Sequence, residues 1–445
     1  MEMTCLPEVK ENSVERWLRL IGAIQLSGRI KLPVLSALAF LLALGTGAPA
    51  QAQDWLQWGG PGRNFISDSK GLADSWPASG PRRLWNRTLG EGHSTILAEK
   101  GKLYTMYRKG EQEVIVSLEA DSGKTIWEYS YDAPTKGMDY SEGFGPHSTP
   151  LISGDTLYAV GALGSFHALD KRTGKVLWSH ELWRQMGGRK LDRGYACSPI
   201  EFKNTIILQV GGPGQAVVAF NKNDGSIAWK KQDFTVSFSS PLLVDVDGQQ
   251  QLVVFGAEQI VGLDPNNGDL FWTYPHRTEY GLNISTPVWC DGNLLFCSSA
   301  YNGGSRVIRL TRKDGKTNAE EVWFNNKVRV HIGTIIRIGD YAYCASGDFG
   351  PSFFSAVSVK TGEVAWRERN FARASSLYAD GKLILLDEDG SLILATVSPQ
   401  NLKVIARTQL LQHLAWTVPT LSGTRLYVRD RKTIMALDLG KSATD

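Results

Sequence analysis

The chain has 445 residues, with 48 Lys and Arg against 45 Asp and Glu and a formal net charge of +3. That balance excludes the basic face that a nucleic-acid partner or an anionic membrane surface would require. With 10% aromatic residues, 21% charged residues and 46 glycines, the composition suits an all-β body rich in tight turns.

Residues 1–52 read as a signal peptide. Arg29 and Lys31 precede the apolar run Leu32 to Leu44, and Ala50-Gln51-Ala52 supplies small residues at a cleavage spacing. The run is shorter than the about 20 residues that cross a bilayer, so no transmembrane anchor is expected. Glu2, Glu8, Glu11 and Glu15 stand upstream of Arg29, unlike a basic leader, and a start codon assigned too far upstream accounts for them. No Cys directly follows the apolar run, so no lipid attachment is expected. The mature protein is expected to be periplasmic or secreted.

Residues 53–81 form a lead-in, and from 82 to 439 one pattern recurs. Trp85, Trp127, Trp178, Trp229, Trp272, Trp323 and Trp366 stand 42 to 51 residues apart. Five of them close one phrase. It reads Leu118-Glu119 to Gly123 and Trp127, Leu169-Asp170 to Gly174 and Trp178, and Phe220-Asn221 to Gly225 and Trp229. It returns as Leu263-Asp264 to Gly268 and Trp272, then Val357-Ser358 to Gly362 and Trp366. A strand-rich period of about 40–50 residues marks the blade of a β-propeller. The polar residue and Gly belong in a bulged hairpin, where Gly supplies positive φ. The Trp falls on the outer strand, packs across to the neighbouring blade and gives its indole N–H to a backbone acceptor. All seven are expected to be structural docking residues.

A degenerate copy spans Thr396 to Ala406, with Ala406 in the Trp place. One more phrase starts at Thr433 to Asp438 without an outer strand of its own. The strand it lacks is Arg82-Arg-Leu-Trp85, which has a Trp but no preceding strands. Pairing the two closes an eight-bladed ring and removes exposed sheet edges. Seven blades is the alternative if the degenerate copy forms no full sheet. Residues 440–445 are a tail. A single repeat domain of this kind stands outside the usual count of domains by length.

Between blades the chain returns to the centre through a small hydroxyl phrase. It reads His93-Ser94-Thr95, His147-Ser148-Thr149-Pro150, Ala196-Cys197-Ser198-Pro199 and Phe238-Ser239-Ser240-Pro241. The later copies are Ile284-Ser285-Thr286-Pro287, Ile332-Gly333-Thr334, Ala374-Ser375-Ser376 and Trp416-Thr417-Val418-Pro419. Small residues suit crowded inner strands, and the positions just before them surround one mouth of the central channel. His93, His147 and Trp416 stand there, with Tyr195, Asn283, His331 and Arg373 one residue earlier. Three of the chain's seven histidines therefore converge on one rim. A solvated ring of loop side chains is one reading of that rim, and a ligand pocket is the other. Loops from Tyr129 to Gly145 and from His180 to Gly194 would wall it, the second bringing Arg193. A metal site is not expected, because eight-fold placement sets His331 three or more blades from His93 and His147.

Cys197, Cys290, Cys297 and Cys344 follow the leader, and Asp291-Gly292 turns Cys290 and Cys297 out of register. Buried free thiols are expected rather than a bridge. No compact catalytic motif is present: neither His-Glu-x-x-His, nor a P-loop, nor Gly-x-Ser-x-Gly.

The repeated phrases resemble the tryptophan-docking repeats of pyrroloquinoline-quinone (PQQ) type propellers. Asp54-Trp55-Leu56-Gln57-Trp58-Gly59-Gly60-Pro61-Gly62-Arg63 resembles the opening of exported PQQ-binding-like repeat proteins. The resemblance covers residues 54–439 and implies the fold. It spans quinoprotein alcohol and glucose dehydrogenases and also a scaffold lipoprotein of the outer-membrane barrel-assembly machinery. The alcohol dehydrogenases carry a vicinal Cys-Cys disulfide and bind Ca²⁺ through a Glu, an Asn and an Asp base. This chain has no adjacent cysteines, and only Asn283 matches those ligands by position. It also lacks a Cys-x-x-Cys-His haem segment.

The expected function is an exported, monomeric scaffold that binds a protein or a small-molecule ligand at the channel mouth through His93, His147, Arg193, Tyr195, Asn283, His331, Arg373 and Trp416. The alternative is a PQQ-dependent dehydrogenase oxidising an alcohol or sugar. In that case Arg373 or Arg193 would hold the quinone carboxylates, and Asp192 or Glu142 would be the base. Mass spectrometry of exported protein should give a mature chain beginning at or near Gln53; a chain retaining Leu32 to Leu44 would overturn the leader assignment.

Overall fold

The computed structural model describes residues 53–136, 143, 145–188, 191–348, 352–371 and 373–441. The expected signal peptide and the candidate base Glu142 lie outside them. The described residues form an all-β, eight-bladed propeller of seven four-stranded sheets and one five-stranded sheet. Blade one comprises Leu97–Glu99, Lys102–Lys109, Gln112–Glu119 and Thr125–Asp132, from the channel outward. Blades two to seven repeat this order, the seventh ending at Leu402–Gln409. Blade eight supplies Thr420–Ser422, Arg425–Arg429 and Thr433–Asp438 and takes Arg82–Thr88 as its outer strand. The pairing is antiparallel, with Trp85 opposite Ala436 and Arg82 opposite Asp438. The ring closes through the two strands that the sequence leaves incomplete.

Each docking Trp stands at a fixed point of the register. Trp127, Trp178, Trp229 and Trp366 face Ser117, Ala168, Ala219 and Ala356, each beside a bulge. Ala406 faces Leu394 beside the corresponding bulge, so the degenerate copy forms a full blade. A bulge twists the outer strand locally and turns the ring toward the next blade. There the indole N–H donates to a carbonyl: Trp85 to Ala120 at 2.9 Å, Trp127 to Lys171 at 3.0 Å, Trp178 to Lys222 at 3.0 Å and Trp323 to Val359 at 2.7 Å. The phrase glycine has two reasons to be Gly. At Gly268 φ is +78°, and a Cβ would sit 2.7 Å from the Trp229 ring.

Blade five breaks the pattern and shows what the pattern does. Its outer hairpin, Gly304–Lys313 with Lys316–Asn325, has no docking phrase. Trp272 turns back instead, donating to Gln251 Oε1 at 2.7 Å in its own blade. Opposite it stands Gly262, where a Cβ would lie 2.0 Å from the indole nitrogen. Gln251 is fully buried and in turn donates to Thr317 of blade five at 2.8 Å. The seam is kept through an amide relay.

The lead-in closes one end of the channel. Trp55 pairs with Ala98 of blade one, and Leu56 O accepts from Ile152 N of blade two at 2.8 Å. Arg63 donates to Pro199 O and Pro241 O of blades three and four at 3.3 and 3.1 Å, and Trp58 Nε1 donates to Thr286 Oγ1 of blade five at 2.8 Å. Ile66 and Ser67 add a parallel strand to blade seven, and Gln53 O accepts from Ser422 of blade eight at 3.1 Å. Fifteen residues of lead-in, Gln53 to Ser67, thus bond to seven of the eight blades.

Cys197, Cys290, Cys297 and Cys344 are buried and free. Burial pushes the Cys197 thiol up to about 11 and Cys344 up to about 12, which leaves both unreactive at neutral pH. Trp229 is 8% exposed, so Trp229→Ala should destabilise the ring by about 3–5 kcal/mol, measured by denaturant unfolding. A loss under 1 kcal/mol would show that the docked ring is dispensable.

Candidate functional site

The channel wall is built by the hydroxyl phrases, and their residue types have a specific cause. The inner strand of each blade has one edge with no strand beside it, so its backbone groups need other partners. The hydroxyls supply them across every seam. Ser94 Oγ donates to Ser148 O at 2.6 Å, Thr149 N to Ser198 Oγ at 3.0 Å and Ser198 N to Ser240 Oγ at 3.0 Å. Ser239 Oγ donates to Ser285 O at 3.0 Å, Ser285 Oγ to Gly333 O at 3.2 Å and Thr334 Oγ1 to Ser376 O at 2.8 Å. Ser375 Oγ donates to Trp416 O at 3.4 Å, and Thr417 Oγ1 to His93 O at 3.1 Å completes the circuit.

The residue before each hydroxyl pair forms a waist. His93, His147 and Trp416 stack on one side: the two imidazoles lie 5.2 Å apart at 22°, and His93 lies 5.2 Å from Trp416 at 33°. Phe238, Ile284 and Ile332 line the other side. Above the waist, His147, Arg193, His331 and Trp416 border a mouth cavity. Below it, a second chamber ends on Trp58 and Phe65 of the lead-in.

At the mouth, Glu388 joins two candidate residues. Its Oε2 accepts from Arg373 Nε at 2.9 Å and from Trp416 Nε1 at 2.9 Å. The guanidinium lies 5.7 Å from the Trp416 ring centre and 3.5 Å from His331 Nδ1. Burial lowers the His331 pKa to about 4, helped by the cations Arg373 and Arg193. Burial, then Arg193, lowers His147 to about 4. Both rings are therefore neutral across the physiological range, and Arg193 and Arg373 carry the positive charge of the rim.

Two of the sequence candidates lie elsewhere. Asn283 is fully buried, donating to Gly256 O and Ala257 O at 2.7 and 3.1 Å while its Oδ1 accepts from Ser299 at 2.5 Å. Tyr195 is 2% exposed and donates to Val210 O at 3.0 Å. Asn283 ties blades four and five, Tyr195 bonds within blade three, and neither lines the cavity. Asp192 is exposed. The expected wall loops begin later than the sequence suggests, because the outer strands continue through Asp132 and Glu181. Glu388, Phe238, Ile284 and Ile332 complete the site; the three apolar ones stood at the same phrase position as His93 and His147.

Calcium takes six to eight oxygen ligands. Among the described residues, no group of three or more His, Cys, Asp or Glu side chains is placed to hold a metal ion. Glu388 is already committed to Arg373 and Trp416.

Eight blades around a funnel, most of them joined by a docked Trp, define a PQQ-like β-propeller. A family model described as outer membrane protein assembly factor BamB matches residues 62–194 and 111–368. The chain belongs to that family. It is 23% identical over 322 residues to the outer membrane protein assembly factor BamB of Yersinia pestis, covering 67% of this chain and 76% of that protein. It is also 23% identical over 284 residues to the quinoprotein alcohol dehydrogenase PedH of Pseudomonas putida, covering 60% of this chain and only 40% of the dehydrogenase. The quinohemoprotein alcohol dehydrogenase of Comamonas testosteroni shares the fold, with a TM-score of 0.62 at 13% identity over 90% of this chain and 82% of that chain.

The buried histidines set a pH dependence whose sign follows from their direction. Unfolded, each ring protonates near 6.5; folded, His147 and His331 protonate near 4. Between those values the unfolded chain binds more protons, so stability is complete above about 6.5 and is lost as pH falls through 4. The buried His167 and His276 act with the same sign. Thermal unfolding midpoints should be flat from pH 7 to 8 and fall below 6.5. The double change His147→Gln with His331→Gln should make that fall shallower; an unchanged slope would count against neutral rings at the mouth.

Proposed function

We propose that this chain is an exported scaffold that holds a protein partner at the mouth face of its channel. The observation that carries the reading is the Arg373–Trp416–Glu388 cluster beside an apolar cavity. Arg and Trp, set around a pocket on a rigid frame, are the residue types that concentrate binding energy at protein interfaces. The frame costs little to organise, since the stacked histidines, the hydroxyl circuit and the lead-in hold the rim before any partner arrives. Neutral His147 and His331 allow an apolar side chain to enter without stripping water from an imidazolium. Membership in a family described as outer membrane protein assembly factor supports a protein-binding role over a catalytic one. It also supports a location in the periplasm or outside the cell. Among the described residues, no helix is long and apolar enough to cross a membrane.

The double change His147→Ala with Arg373→Ala tests this reading. It should abolish capture of the partner recovered by wild-type protein from envelope extracts, while the thermal midpoint at pH 7.5 shifts by only a few degrees. Undiminished capture would move the interface to the blade edges or the floor face. Uptake of PQQ by the wild-type protein in the presence of Ca²⁺, seen by absorption and lost in the double variant, would replace the scaffold reading with a quinone-binding one.

A further inference from the structure

The lower chamber has its own chemistry. Five hydroxyl residues line it: Ser198, Ser240, Ser285, Thr286 and Thr334. Ser285 and Thr334 donate to carbonyls of the next blade. The other three are used the opposite way. Ser198 Oγ accepts from Thr149 N at 3.0 Å, Ser240 Oγ from Ser198 N at 3.0 Å and Thr286 Oγ1 from the Trp58 indole at 2.8 Å. A hydroxyl that accepts still has a hydrogen to give, and among the described residues none of these three has an acceptor for it. All three are nine-tenths or more buried, at 2%, 4% and 7% exposure. They come from blades three, four and five, so their unused donors share one side of the chamber.

Arg63 supplies the second observation. The residue is 8% exposed, and its guanidinium bonds to the carbonyls of Pro199 and Pro241, the residues that directly follow Ser198 and Ser240. Its remaining side-chain partner is the neutral Gln57, at 3.2 Å, and its Nε has none. No carboxylate among the described residues pairs with it. A buried cation without a counter-charge is costly, and burial lowers its pKa to about 10. The chamber's unspent hydroxyl donors therefore stand near an unneutralised positive charge, since Arg63 bonds to the residues that directly follow two of them.

We propose that the lower chamber is an anion site, in which Ser198, Ser240 and Thr286 donate to a small acceptor-only anion, a free halide or the carboxylate end of a ligand, in the field of Arg63. Charged acceptors draw stronger hydrogen bonds than neutral ones, and neutralising Arg63 adds to the gain. The site is separate from the protein-binding mouth, so failure of that reading leaves this one standing.

Chloride is the probe. The purified protein in chloride-free buffer, titrated with sodium chloride, should broaden the ³⁵Cl resonance in a saturable way. Thr286→Val keeps side-chain volume and removes one donor, and should weaken binding about tenfold, the usual consequence of losing one charged hydrogen bond. Trp58→Phe breaks the same indole contact but keeps the hydroxyl, and should retain most of the affinity. Arg63→Gln should weaken it further; if that variant does not fold, the Thr286→Val and Trp58→Phe pair carries the test. Displacement of chloride by sodium acetate would assign the site to carboxylates, and its failure to displace would assign it to halide. Line widths equal in wild-type and Thr286→Val protein, with no acetate binding by calorimetry, would overturn the proposal.

Discussion

The inner strand of each blade must satisfy a backbone edge that no further strand can cover. A propeller leaves eight such edges around its axis, and water in a narrow channel serves them poorly. Here short hydroxyl side chains bridge each seam, alternating between donor and acceptor as the local carbonyl or N–H demands. Longer side chains would reach but would fill the space. Because Ser and Thr are small, the channel keeps its volume, and the waist residues just before them can differ from blade to blade. The rigid circuit and the variable waist are consequences of one requirement.

At the outer circumference a different device joins the blades. A bulge, a Trp and a facing Gly act as one unit, and blade five shows that the unit can be replaced. Where the next hairpin lacks the docking phrase, Trp272 lies over Gly262 and Gln251 carries the connection to Thr317. Inner and outer seams are thus independent. The outer one tolerates substitution of its parts, as Ala406 in place of a Trp also shows, while the inner circuit is continuous around all eight blades.

Residues whose identity follows from local geometry were legible in the sequence. The docking Trp, the bulge beside it and the closing pair of Trp85 with Ala436 follow from spacing, because register transmits position along a strand. The site was legible only as a set of positions. Asn283 and Tyr195 occupy the same pre-strand place as His331 and Arg373, yet their polar atoms turn to the carbonyls of Gly256 and Val210. Which way a side chain turns depends on what its neighbours present, and that information belongs to another blade. Glu388 left no periodic signal, being joined to Trp416 only by the meeting of blades seven and eight. The lead-in announced a turn through Gly59-Gly60-Pro61-Gly62, but nothing local showed that Trp58 and Arg63 would reach blades three, four and five.

The sealed floor gives the channel an order of events. With Trp58 and Phe65 at one end and waist residues shared with the mouth cavity at the other, the lower chamber adjoins the mouth. A molecule seated at the mouth would stand across the passage between the two. An occupant of the chamber that uses this passage would enter before the mouth is filled and leave after it empties. A through-channel would let the two sites exchange independently. The lead-in, by closing one end, makes them sequential.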